Sequence, residues 1–208
     1  MKAEKAHSVL LDHLPEGTLD YCYLLWQQSP FELKLTKSRQ TKVGDFTSRG
    51  SKAHPRITLN HDLNSYAFLL TYIHEVAHLH VYLKYSHRVD PHGDEWKRTF
   101  QQLLSPLLQE NAFPPEILHE LRRHMINPKA SSYADTDLTK VLRLYDKNHH
   151  LLIVLSDIPA GSIFKLQGRY FTKGKLRRTR FLCKEVKSKR NYLVPVDALV
   201  TDVQLSLL

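Results

Sequence analysis

A chain of 208 residues with a formal charge of +9 is long enough to bury a core as one domain or as two small ones. Its two cysteines, Cys22 and Cys183, are too few for a disulfide framework or a Cys-rich zinc site, and reduced thiols suit an intracellular chain. Residues 1–7 lack the apolar run of a signal peptide and no stretch approaches bilayer-spanning length, so the expectation is no membrane association and a cytoplasmic or, in a bacterium, nucleoid-associated protein, whose excess cations favour polyanionic partners.

Residues 4–13 and 16–28 read as two helices broken at Pro15 and Gly17. Val9, Leu10 and Leu14, then Leu19, Cys22, Tyr23 and Trp26, give them apolar faces, with Cys22 as core rather than reactive thiol. Pro30 ends the second helix. Residues 31–36 alternate apolar and polar as a half-buried strand. Residues 43–47 and 56–59 give two more strands around a polar loop at 48–55. An exposed edge strand can pair with an extended peptide backbone; residues 56–60 are the candidate edge, with plain sheet core as the alternative.

Asn64 caps a long helix running towards Tyr85, on which Leu70, Ile73, Ala77 and Val81 recur at helical spacing. Mid-helix stands His74-Glu75-x-x-His78. Histidines four apart share one face at about 6 Å, so their imidazoles can grip one Zn²⁺ and leave Glu75 beside it to take a proton from water. A catalytic zinc needs a third protein ligand. The long Met-turn pattern would require Gly at position 81 and His at position 84; Val81 and Lys84 exclude it. Glu95 and His92 remain, the latter stiffened by Pro91 and followed by Gly93. His80 points to another side of the helix, and His54, His61 and His87 fall in loops or helix ends as ordinary surface histidines.

A second helix covers 94–108 with Trp96, Phe100, Leu103, Leu104 and Leu107 on its apolar face, and Pro114-Pro115 starts another over 116–125. Its Leu118, Leu121 and Met125 can pack back on the core. Residues 127–137 read as a polar linker between a first domain, 1–126, and a second, 138–208.

The order of these motifs is similar to that of the SprT-like zinc metalloprotease family: His-Glu-x-x-His on a helix, then His92-Gly93-x-Glu95-Trp96 opening the next helix, preceded by Val43-Gly44-Asp45-Phe46 and Arg56-Ile57-Thr58-Leu59-Asn60 as a short hairpin. The resemblance covers about residues 15–110. It implies a zincin-like, α+β protease domain with His74, His78 and His92 on zinc and Glu75 as the catalytic base. It also implies a protein substrate that is DNA-associated or crosslinked to DNA.

Beyond the linker the texture turns β-rich. Segments 142–145, 151–155, 163–166, 168–171, 179–184 and 192–196 are strand-like, which suggests a small SH3-like barrel. Many bacterial members of the family end in a Cys-rich ribbon; with Cys183 alone, this region departs from it. Residues 165–191 carry eleven basic residues against Glu185, a density that favours nucleic acid, single- or double-stranded. The candidate contacts are Lys173, Lys175, Arg177, Arg178, Arg180, Lys187, Lys189 and Arg190. Phe164, Tyr170, Phe171, Phe181 and Tyr192 are interleaved, as barrel core in preference to base-stacking platforms. The alternative function is a nucleic-acid-binding protein whose metal site is structural or inactive.

Overall fold

A computed structural model describes residues 3–39, 42–48, 55–109, 112–129, 135–146 and 153–205. The chain is mixed α+β and forms two compact units, 1–147 and 148–208. No helix among the described residues is long and apolar enough to cross a membrane.

The first unit begins with α1 (Ala3–His13) and α2 (Leu19–Gln28), then a three-stranded sheet of β1 (Glu32–Thr36), β2 (Gly44–Thr47) and β3 (Arg56–Asn60). β3 is central, parallel to β1 and antiparallel to β2. Both its edges are therefore paired, and Ile57 to Asn60 are buried. This corrects the expected edge at 56–60: among the described residues, the strand that borders the helix carrying His74 with an edge free of strand pairing is β2.

That helix, α3 (Ser65–Tyr85), starts where the Asn64 side chain accepts the Ala67 N–H at 3.0 Å. From Ala67 to Ala77 nearly every side chain is buried, as expected of a helix enclosed on all sides. It ends at Ser86, which takes a left-handed φ of 57° and donates its N–H to Tyr82 O. α4 (Asp94–Gln109) packs against α3 and buries Trp96, Phe100, Leu104 and Leu107.

α5 (Pro115–His124) and α6 (Thr136–Arg143) complete the unit. α6 moves the domain boundary. The sequence reading set residues 138 onward in the second domain and took 142–145 for a strand. Instead Asp135 caps a helix, its carboxylate accepting Leu138 N–H, and Leu138 and Leu142 are buried in the same core as α3. Asn64 Nδ2 also donates to Leu142 O at 2.9 Å. Leu142-Arg143-Leu144-Tyr145 alternates locally, but Leu138 and Leu142 stand four apart, and burial follows that helical spacing. Residues 130–134 of the expected linker lie outside the described residues.

In the second unit β4 (Ile153–Val154), β5 (Ile163–Leu166), β6 (Arg169–Thr172), β7 (Leu176–Arg177), β8 (Arg180–Glu185), β9 (Asn191–Pro195) and β10 (Leu199–Gln204) form one curled antiparallel sheet. Its order is β4-β10-β5-β6-β8-β7, with β9 on β8. Phe164, Phe171, Cys183, Val194 and Val200 are its core. β10 was not foreseen: its register shifts between Thr201 and Gln204, and Asp202 has a φ of 49°, so the inward-outward alternation that marks a strand is broken.

Candidate functional site

α3 holds His74 and His78 one turn apart on the same face. The chain after α3 turns at Asp90, whose carbonyl accepts Gly93 N–H at 3.0 Å, and Gly93 O in turn accepts Lys97 N–H as α4 begins. This turn sets His92 against the other two imidazoles. The Nε2 atoms lie 3.1 Å (His74–His78), 3.0 Å (His78–His92) and 3.4 Å (His74–His92) apart. Three ring nitrogens in one triangle cannot all be paired by protons, since two of any three share the same role. One cation at their centre can take all three lone pairs. Ligands at 2.0–2.1 Å in tetrahedral array stand about 3.3 Å from one another, which is the size of this triangle. The residues present therefore fit a metal ion, and the donor set suits zinc. Glu95, the rival ligand, is not among the converging groups.

The surroundings keep the imidazoles neutral, as ligation requires. Burial, then the neighbouring His78 and His92, holds His74 well below the usual range. Burial and His92 push His78 down to about 4, and burial lowers His92. Trp96 forms the floor, with ring centroids 4.6, 5.3 and 4.9 Å from His74, His78 and His92 and Phe100 stacked beneath it at 5.0 Å. Residues 21–119 match the profile of the SprT-like family. They form a SprT-like domain. Comparison with curated proteins and with solved structures yields no match.

Within the SprT-like domain Glu75 is the other buried titratable group at the site, 6% exposed. Burial, reinforced by Asp45, raises its carboxyl from the usual range to about 8; the Phe46 N–H, Arg39 and Lys42 pull the other way. Arg39 is fixed in place by Asn60 Oδ1 at 2.9 Å and Thr58 Oγ1 at 3.1 Å. Gly44 makes room for the carboxyl: a Cβ there would sit 2.5 Å from Glu75 Oε1 and 2.6 Å from Thr71 Cγ2. A cleft of about 900 Å³ opens over Glu75 and the three histidines, with residues 42–48 among its lining. Phe46, Tyr82 and His87 follow one another along it with tilted rings, at 5.7 and 5.3 Å between centroids. His87 therefore belongs to the cleft, although its loop position marked it as an ordinary surface residue. His61 is tied to Thr36 O, His80 is outside the triad, and His54 lies outside the described residues.

Sequence reasoning took Trp96 only as core and gave Asp45 no role. Both follow a visible signal: Trp96 is four residues after His92, in the first turn of α4, and Asp45 lies in the hairpin segment beside Gly44.

The cationic candidates of the second unit divide. Lys173 is 5% exposed; its ammonium donates to Ile158 O at 2.6 Å and Ser156 O at 3.2 Å and sits 3.9 Å from the centre of the Phe181 ring. It is a structural clamp, a correction to its place among the nucleic-acid contacts. Lys175, Arg177, Arg178, Arg180, Lys187, Lys189 and Arg190 are all exposed.

Proposed function

We propose that this chain is a zinc-dependent endopeptidase acting on DNA-associated or DNA-crosslinked proteins. The observation that carries the protease reading is the convergence of three imidazoles, two of them on the helix that also carries a buried carboxyl, at an open cleft in a SprT-like domain. In this reading the first unit is a zincin-like protease domain and the second an SH3-like barrel.

His74, His78 and His92 would hold the ion, and the Trp96 ring packed against them limits their rotation. Zinc, when bound, polarises the scissile carbonyl and acidifies water to a pKa near 7. Glu75 accepts the proton of the attacking water and passes it to the leaving amide nitrogen. A carboxylate whose proton affinity is raised by burial suits both transfers. β2 offers an edge free of strand pairing beside the cleft, where an extended substrate backbone can add as a further strand. Support for DNA association comes from the excess of basic over acidic residues in the second unit and from the family resemblance.

The test is cleavage of an unfolded protein substrate by the zinc-loaded chain, with and without DNA, against Glu75→Gln, together with zinc content. Glu75→Gln should retain one equivalent of zinc and lose at least about 10³-fold in rate. A wild type that cleaves nothing its Glu75→Gln variant spares leaves a nucleic-acid-binding protein with a structural metal.

A further inference from the structure

The nucleic-acid reading above does not say how the second unit would bind, and the sheet is informative on this point. Along β8, Cys183 and Glu185 are buried while Arg180 and Lys184 are exposed. Residues paired across strands share a face. The outer face of β7–β9 therefore carries Arg177 opposite Arg180, Arg180 opposite Pro195, Leu182 opposite Leu193, and Lys184 opposite Asn191. Two arginines directly opposite each other repel. Among the described residues Arg177, Arg180 and Lys184 have no ion pair with an acid. Two acids of the sheet are already engaged: Glu185 with Arg169 at 3.3 Å and with Ser188 Oγ, and Asp202 with Lys165 at 3.1 Å.

Each end of β8 extends this field. The turn before it presents Arg178, held at a φ of 58°, and the turn after it presents Lys187, Lys189 and Arg190. Glu185 anchors the second turn by its side chain to Ser188 and by its carbonyl to Lys189 N–H. The strand between spans about 17 Å, the length of several phosphates along either kind of strand.

The aromatics decide which nucleic acid fits. Binding of single strands relies on exposed rings that stack on bases. Here Phe164 and Phe171 are core, Phe181 lies against the Lys173 ammonium, and Tyr192 packs on Phe171 and the Arg169 guanidinium. Tyr170 is exposed, but its hydroxyl is bonded to Asp202 and Lys165 sits over its ring. None stands on the outer face of β7–β9. We propose that this face binds duplex DNA through its phosphates alone, with neither stacking on bases nor reading their edges. The inference rests on the proposed association with DNA and deepens it.

The experiment uses the full-length Glu75→Gln chain, which removes self-cleavage, and labelled 20-mers followed by fluorescence anisotropy from low to moderate salt. The expected result is duplex affinity at least about tenfold above that of a single strand of the same sequence, since the duplex has twice the axial charge density. Affinity should be indifferent to base composition. Arg177→Glu/Arg180→Glu should weaken duplex binding at least about tenfold and reduce the slope of log K against log salt by about two. Its unfolding temperature should hold, since both side chains are exposed and the change exchanges one like-charged pair for another. Lys34→Glu, an exposed control in the first unit, should bind as the parent does. Preference for the single strand, or equal loss in Lys34→Glu, overturns the proposed face while leaving DNA association intact. Binding to anionic phospholipid vesicles with none to either DNA overturns the DNA reading itself. The cleavage assay with wild type reports separately on the protease.

Discussion

Gly44→Ala is a one-methyl test of the active-site geometry. The added Cβ would lie 2.5 Å from Glu75 Oε1, 2.6 Å from Thr71 Cγ2 and 3.0 Å from Glu75 Cγ, against an ordinary carbon contact of about 3.5–4.0 Å. Thr71 has little freedom to retreat: it is buried, and its hydroxyl donates to Ala67 O at 2.7 Å. The strain therefore falls on the Glu75 carboxyl and on the seat of β2 against α3. Overpacking of this size costs about 1–3 kcal/mol of stability. A catalytic group displaced by about 1 Å loses on the order of 10²-fold in rate. The proposed metal ligands are untouched, so, on the protease reading, zinc content should stay at one equivalent while kcat/KM falls about 100-fold and the unfolding midpoint drops. Cleavage of a fluorogenic protein substrate, zinc content and thermal unfolding measured on the same samples provide the assay. Wild-type activity and stability in Gly44→Ala would refute the claim that Glu75 works from a seat against β2.

Trp96→Ala removes a fully buried ring that touches all three imidazoles; it should cost about 3–5 kcal/mol and weaken zinc at least tenfold in chelator competition, with Trp96→Phe much milder. Leu138→Ala should destabilise the first unit by about 2–5 kcal/mol, seen as a downward shift of the unfolding transition that zinc raises, because α6 belongs to that core. Burial pushes the Asp135 carboxyl up, but the bonds from His124 Nδ1 and Leu138 N–H, with Lys129, outweigh it and hold the group below its usual value. Its stabilisation is then complete above the unfolded value of about 4 and is lost as pH falls through the depressed folded one, so Asp135→Asn should flatten the acid limb of stability against pH. Lys173→Met strands the Ile158 and Ser156 carbonyls that its ammonium now satisfies; it should lower second-unit stability by about 1–3 kcal/mol and leave DNA affinity unchanged.

What was legible in the sequence was what lies within a few residues of itself. The spacing of His74 and His78 on a capped apolar helix already implied a shared face, because helical period is local. The third imidazole is not implied by spacing: fourteen residues separate His78 from His92, Glu95 is a rival on spacing alone, and it is the turn at Asp90 that brings His92 to the other two rings. The edge strand failed for a related reason. β2 and β3 are both short, and only the parallel pairing of β1 with β3 makes the latter central, a fact that no local pattern contains. Charge failed differently. Lys173 and Lys175 are chemically identical and two positions apart, yet one is buried and the other is solvated. The chain between them approaches β8 so closely that a Cβ at Gly174 would lie 2.1 Å from Leu182 O. That approach coincides with one ammonium turned onto the carbonyls of 156 and 158 and the other left in water. A count of cations therefore measures the field of the second unit but not which residues project it, and the division appears only once β6, β8 and the 155–158 segment are assembled.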